Sequence, residues 1–483
     1  MVTPERVAVL QRPETQGGEL WAPVLASVVS TGQRRLEARS YLTDGYGQRQ
    51  LIESAPSGWT TMKEIAEVWQ PSRLKGIVVR VGAGLPFLSA GQVFEATPVV
   101  RKWLARSHVP DEAARYVSPE QILMSCSGRV GRITAVYPHH ENIVITHDLL
   151  RIVPRDATHY GWLYAYMRTP QFHGIASASQ YGHMIKHLEP EHVQLMPVIM
   201  PPPEILEKTS ALVSEVMSKR RQAATLEKEA NAEYEALVRP EGGANGTAVY
   251  GTVSASTLMT ARRRLDAEHF RPDYLAIAGW LRSAGTRPVE TLDDVTEQVS
   301  LGNRYRRYFG EKGTPYRSAE ELFDLNAPVT KRVYAGLIDN RENYTLHAGW
   351  LIMARSGQVY GLNGRVILLT SAHEDIFGSD DLIRIIPDKS KIHTGYLLLA
   401  LGNPLVGRPM VIRNAYGTSI PHLDPIDVRK VPIPRFDEET EKQLGDKMVR
   451  AAELKTEADS LENEATELAE TVVSAFMKSH GHL

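Results

Sequence analysis

One unit is written twice along this chain, and each copy closes on a long heptad-patterned segment, so the fold must hold two similar bodies and two long helices. Arg35-Leu36-Glu37-Ala38 returns as Arg264-Leu265-Asp266-Ala267, 229 positions on. Gly84-Leu85-Pro86-Phe87-Leu88-Ser89 answers Gly313-Thr314-Pro315-Tyr316-Arg317-Ser318 at that same offset, as Ile122-Leu123-Met124-Ser125-Cys126-Ser127-Gly128 answers Leu351-Ile352-Met353-Ala354-Arg355-Ser356-Gly357. Asp148-Leu149-Leu150-Arg151-Ile152-Val153-Pro154 returns 233 positions on as Asp381-Leu382-Ile383-Arg384-Ile385-Ile386-Pro387. Tyr181-Gly182 with His187-Leu188-Glu189-Pro190 returns 235 positions on as Tyr416-Gly417 with His422-Leu423-Asp424-Pro425. The order never changes. The drift in offset is what a few loop insertions produce, because loops absorb extra residues that packed elements cannot.

Each copy leaves its β-rich part through Met196-Pro197 or Val431-Pro432 and enters a predicted helix. In the first helix Val216, Ala223, Ala230 and Leu237 recur every seven residues, with Leu212 and Leu226 on the neighbouring seam. In the second, Ala451, Ala458, Ala465 and Val472 recur beside Leu454, Leu461 and Leu468. Such a stripe buries only against another helix, and the alanines let two backbones come close. The obvious partner is the other copy's helix. About 35 helical residues make a rod of roughly 50 Å, long enough to act as a spacer.

The residue pattern therefore predicts an α+β chain of tandem globular domains, each followed by a long helix, the two helices forming an antiparallel coiled coil with pseudo-twofold symmetry. The expected boundaries are an N-terminal extension over 1–33, a first globular domain over 34–201, a helix over 202–238, a Gly-rich hinge over 239–256, a second globular domain over 257–433 and a second helix over 434–478. Ile143-Val144-Ile145 and Gly76-Ile77-Val78-Val79 read as short strands, and Gly161 to Met167 as a helix.

Composition narrows the setting. The lone Cys126 cannot form an internal disulfide, and no apolar leader or spanning segment is visible, so a reducing cytoplasm without a membrane is expected. The formal net charge of −2 argues against a strongly basic nucleic-acid binder. That average hides an asymmetry: Asp437 to Glu470 holds twelve acidic and four basic residues, a local −8, which leaves the rest of the chain at +6. The acidic face from Glu438 to Glu470 suits either a solvated coiled-coil surface or a dock for a basic partner.

The order of parts resembles the specificity subunit of Type I restriction-modification systems. The Arg-Leu-acid-Ala starts, the Gly-x-Pro-aromatic segments at Gly84 and Gly313, the Ser-Gly turns at Ser127 and Ser356 and the Pro-rich entries into both helices carry the likeness, from about Arg34 to Ala475. The resemblance implies two target recognition domains that each read half of a split double-stranded DNA sequence. It also implies helices that set the gap and dock two methyltransferase subunits and, through them, restriction/translocase subunits. No catalysis and no cofactor are implied on this chain, S-adenosylmethionine belonging to the methyltransferase subunit. Two departures stand out. The second Ser-Gly turn, Ser356-Gly357-Gln358-Val359-Tyr360-Gly361, reads as one residue longer than Ser127-Gly128-Arg129-Val130-Gly131, and the N-terminal extension has no evident part in DNA reading.

Base readout needs Arg, Asn or Gln at groove edges, and phosphate contacts need only charge or N–H groups. The densest candidate is Asn303, Arg304, Tyr305, Arg306 and Arg307 with Tyr308, either a DNA contact or a solvated basic face. Arg73 and Lys75, within Gln70 to Lys75, are its loose counterpart. Gln180, Tyr181, His183 and Lys186 in one copy, and Arg413, Asn414, Tyr416 and Thr418 in the other, precede the shared His-Leu-acid-Pro element and read as DNA contacts or as structural turns. Ser127 and Arg129, like Ser356 and Gln358, lie in a Gly turn whose N–H groups could meet a phosphate or simply close a hairpin. His187 and His422 read as packing residues, and His139-His140-Glu141-Asn142 as an exposed loop rather than a metal site.

Enzyme signatures are missing. Pro201-Pro202-Pro203 lacks the acid or amide and the aromatic of an adenine methyltransferase, Val81-Gly82-Ala83-Gly84 reads as a turn, no phosphate loop exists, and Pro387-Asp388 with Lys389 and Lys391 lacks a nuclease's second acid. A protein-interaction scaffold and the recognition module of another DNA-directed phage-defence complex remain open beside the leading reading.

Overall fold

The computed structural model describes residues 14–16, 19–21, 24, 37–182, 186–240, 251–260 and 264–481. Most of the expected N-terminal extension, the Gly-rich part of the hinge, and His183 lie outside them. The fold is mixed α+β, with one long helix over Pro203–Val238 and another over Glu438–His480. The chain divides into two compact units, residues 1–219 with 458–483, and residues 220–457. Among the described residues no helix is long and apolar enough to cross a membrane.

In the first unit Ile122–Ser125 is wholly buried, as a short continuous apolar run at the centre of a sheet should be. It lies in an antiparallel sheet ordered Ala66–Trp69, Leu149–Pro154, Ile122–Ser125, Ile133–Ala135. A second sheet runs Val144–Ile145, Leu85–Leu88, Lys102–Leu104, Val78–Val79, its first pair parallel. The helix Tyr160–Met167 is buried on nearly every side, as a helix without a polar face must be. Gly161 lets it touch the central helix: a Cβ there would lie 2.5 Å from the Cα of Ser210.

The second unit repeats this order. Its antiparallel sheet runs Thr296–Leu301, Leu382–Pro387, Leu351–Ala354, Val366–Leu368, and its other sheet again contains one parallel pair, Phe309–Arg317 with Ile376–Gly378. The buried helix Thr394–Gly402 crosses the terminal helix at Gly395, where a Cβ would lie 2.1 Å from the carbonyl oxygen of Gly445. The repeat therefore reproduces even the glycine at the helix crossing.

Along both long helices the heptad seam slips by one residue. Val216, Ala223 and Ala230 are fully buried, but Leu237 is 42% exposed and Val238 takes its place; in the terminal helix Val473 is buried where the strict spacing names Val472. An α-helix turns every 3.6 residues, so a 3.5-residue stripe drifts unless the helices supercoil to follow it. The inner positions beside that seam are Val213, Arg220 and Tyr234 rather than Leu212 and Leu226, which are only half-buried. Within the second unit Ala223 packs against Ala451 and Leu454, and Lys447 and Lys455 pair with Glu233 and Glu227, so these two helix segments run in opposite directions.

Candidate nucleic-acid interface

The Ser-Gly turn follows a central strand in each unit, and in each it is clasped by the segment that carries the repeated histidine. In the first unit the amide of Gly128 donates to the carbonyl of Lys186, the amide of Leu188 to that of Cys126, and Tyr181 and His187 exchange backbone hydrogen bonds. The second unit makes the same set, with Gly357 to Pro421, Leu423 to Arg355, and Tyr416 exchanging with His422. Two candidate segments far apart in sequence thus form one structural edge. Among the described residues, the candidate segments at Arg73 and Asn303 make no backbone hydrogen bond with it, and the first touches it only where Gln70 Nε2 lies 3.4 Å from the Cys126 Sγ.

The turns differ by four residues, not one. Gly131, with φ of +89°, donates to the carbonyl of Ser125; the residue doing the same for Ala354 is Gly364, with φ of +71°, not Gly361. Gly361 is an inner residue of a longer loop, held when Arg408 donates to the carbonyls of Val359, Gly361 and Asn363 at 3.0, 2.8 and 3.2 Å. This insertion is where the repeat offset passes from 229 to 233.

Several candidate side chains are exposed: Arg73, Lys75 and Arg129 in the first unit, and Asn303, Arg304, Arg306, Gln358, Tyr416 and Thr418 in the second. Gln358 also donates to the carbonyl of Ser419 at 3.0 Å, tying the long turn to the neighbouring loop. Others are engaged within the fold. Tyr305 packs at a tilt against Tyr344 with ring centroids 4.4 Å apart and donates to the Gly378 carbonyl, so it belongs to a small core. Arg307 is ion-paired with Asp380. Arg413 lies between Met410 and His269, and Asn414 donates to the Met410 carbonyl at the end of its helix. Tyr181 donates to Glu189, which pushes its hydroxyl up to about 12, while Lys186 donates to the Gly182 carbonyl; Gln180 and Ser127 are half-buried. Gln70, in the loose counterpart segment, turns inward to the carbonyl of His147 at 2.6 Å.

No protein-family model and no curated protein matches the chain. Solved structures do. Two of the matching structures are specificity subunits, one named as the S subunit of a Type I restriction-modification system and one as an HsdS subunit. The chain is similar to the Type I restriction-modification S subunit from M. genitalium at 12% identity and a TM-score of 0.33, covering 88% of this chain and 97% of that one. It is similar to the HsdS subunit from Thermoanaerobacter tengcongensis at 14% identity and a TM-score of 0.25, covering 87% and 97%. A chain from a structure of Type I restriction-modification complex assembly and conformational transition aligns at 15% identity and a TM-score of 0.27, covering 87% and 98%.

Sequence reasoning passed over two buried arginines that brace the loop entering the strand beside this edge. Arg151 and Arg384, equivalent in the repeat, are buried at 0% and 2% exposure. Arg151 donates to the carbonyls of Thr146 and Leu149, Arg384 to those of Leu382 and Ser379, and burial pushes both guanidinium groups down to about 10. Their recurrence in an apolar strand was the available signal. His140, placed on an exposed loop by sequence, is fully buried: its Nδ1 accepts from the Tyr137 amide at 3.1 Å and its Nε2 donates to the Val93 carbonyl at 3.0 Å. His373 caps the equivalent turn from Thr370 at 3.2 Å. On the surface of the second unit His347, Glu374 and Asp375 bring one potential ligand atom each to within 4.8 Å of one another.

Proposed function

We propose that this chain is the non-catalytic sequence-recognition subunit of a Type I restriction-modification complex, each unit reading one half of a bipartite duplex target. One observation carries the reading: the same clasped Ser-Gly edge is built twice on the same sheet order, with different donor side chains exposed beside it. Two like frames with unlike side chains suit two half-sites of unlike sequence, since phosphate contacts position a protein and side chains at base edges specify. The mildly basic globular parts favour a polyanion, and the acidic helix face favours basic partner surfaces.

In this reading the two long helices pair as an antiparallel coiled coil that spaces the half-sites and docks two methyltransferase subunits and, through them, the restriction/translocase subunits. The opposed ion pairs of Lys447 and Lys455 and the Ala223 contact with Ala451 support that pairing. S-adenosylmethionine would bind the methyltransferase subunit. The test is to co-express the chain with the methyltransferase encoded beside its gene and map methylated adenines across the host genome by single-molecule sequencing. A split motif is the expected result. A stable complex that methylates nothing would refute the reading.

A further inference from the structure

In the second unit the clasp is locked by side chains as well as backbone. The Ser356 hydroxyl lies 2.6 Å from Oδ1 of Asp381 and 2.6 Å from Nδ1 of His422. Arg355 donates to that same carboxylate oxygen at 3.0 Å. A hydroxyl has one proton to give, and a carboxylate paired with a guanidinium is acceptor only, so the Ser356 proton goes to Asp381. Its oxygen must then accept, and the only donor that Nδ1 of His422 can offer is its own N–H. The geometry selects the tautomer: Nδ1 carries the proton and, in the neutral ring, Nε2 is a hydrogen-bond acceptor. Among the described residues Nε2 of His422 has no hydrogen-bond partner, nor is it among the buried unpaired atoms. The residues just before it, Tyr416 to Ile420, are all exposed.

We propose that His422 is a specificity-determining residue whose Nε2 accepts from an exocyclic amino group, adenine N6 or cytosine N4, at one position of the second half-site, and that Ser356 and Asp381 are positioning residues that fix its tautomer. This rests on the DNA-reading function above. Adenine N6 and cytosine N4 are the amino donors that the major groove displays, and an acceptor that cannot switch to a donor rejects the keto oxygens of guanine and thymine at the same place. A rotating or tautomerising imidazole would accept either. His187, Ser127 and Asp148 keep the same places in the first unit, where the backbone bridge between Ser127 and His187 is also present.

The test compares His422→Asn, whose amide can still donate to Ser356 but has nothing at the Nε2 position, with His422→Gln, whose terminal amide reaches the Nε2 position but can turn either its carbonyl or its amino group outward. Both are measured in the assembled methyltransferase complex, by binding to duplexes carrying each base at each position of the second half-site. In His422→Asn, discrimination at one position falls about tenfold, with the first half-site unchanged, and in His422→Gln, free to present either group, the amino and keto bases at that position bind alike. Duplexes lacking N6 or N4 at that position tell adenine from cytosine: the wild type loses affinity for one of them and His422→Asn does not. Ser356→Ala relaxes the same position. His422→Asn with wild-type preference at every position overturns the proposal. A second readout needs no DNA: in the free chain with 15N-labelled histidine, assigned by the loss of one signal in His422→Asn, the ring must show Nδ1 protonated at pH 8, and an Nε2–H ring overturns the proposal. A wild-type complex with no split motif removes the function and this inference together, whereas a split motif untouched by His422→Asn sinks the inference alone.

Discussion

Acid should unlock the first unit at His140. In the fold its Nδ1 faces the Tyr137 amide and its Nε2–H the Val93 carbonyl, so only the neutral ring satisfies both, and burial pushes the imidazole down to about 4 from an ordinary 6.5. The sign follows from proton counting. Below 6.5 the unfolded chain binds a proton that the folded chain refuses, so this stabilisation is complete above pH 6.5 and is lost as pH falls through 6.5 toward 4. Integrating between those values, the loss from pH 7.5 to 4.5 is about 2–3 kcal/mol. Other groups titrate over the same range, so the quantity to measure is a difference: urea unfolding of the wild type and of His140→Gln at pH 7.5, 6.0 and 4.5, followed by tryptophan fluorescence. His140→Gln is less stable at pH 7.5 because the glutamine cannot make both hydrogen bonds with the same geometry. The gap should then shrink by about 2–3 kcal/mol on going to pH 4.5. A gap that stays constant across that range would refute the argument that His140 is held neutral.

The buried Glu462 carboxylate accepts from Tyr164 and Tyr137 and pairs with Arg168 at 3.2 Å, fastening the terminal helix to the first unit's own helix. Glu462→Ala leaves a half-buried guanidinium and two buried hydroxyls without this acceptor and should cost about 3–5 kcal/mol, against about 1–2 for Glu462→Gln, which keeps an acceptor; equal urea midpoints for the two would count against it. Cys126 is buried, and desolvation followed by Asp148 and Glu189 pushes its thiol up to about 12. Its labelling by a disulfide reagent at pH 8.5 should be about a thousandfold slower folded than in urea, and a ratio below ten would contradict that burial. In the second unit, Gly395→Ala drives a Cβ into the Gly445 carbonyl and should destabilise by about 1–3 kcal/mol, whereas Gly279→Ala, on a helix with open space around it, should be neutral or stabilising by up to about 1. Melting curves of the two variants decide, and parity between them would mean that the helices part freely.

The elements most legible in the sequence were those whose pattern is set by neighbours along the chain. The short runs around Val144–Ile145 and Val78–Val79 announce strands by their β-branched residues, Gly161 to Met167 falls within the helix Tyr160–Met167, and the two long helices announce themselves by their seams. What stayed hidden depends on contacts closed across long stretches of chain. The heptad count names Leu237 and Val472, but a helix packed on a globular body keeps its own 3.6-residue turn, and Val238 and Val473 end up inside. Glycine spacing alone makes Gly361 the end of the second turn, while the hydrogen bond that closes it belongs to Gly364. The candidate site was half readable for the same reason. Arg304 and Arg306 are exposed as their charge suggests, yet Tyr305 between them goes into a core and Arg307 turns to Asp380, because residues around 344 and 380 supply an aromatic pocket and a carboxylate that no local pattern predicts. His422 makes the point most sharply. Beside Leu and Pro it reads as packing, and its chemistry emerges only when the chain brings Ser356 and Asp381 to the same nitrogen's hydrogen-bond chain, 66 residues from the first of them. A repeat tells a reader which positions must do the same thing twice; it takes the folded contacts to say what that thing is.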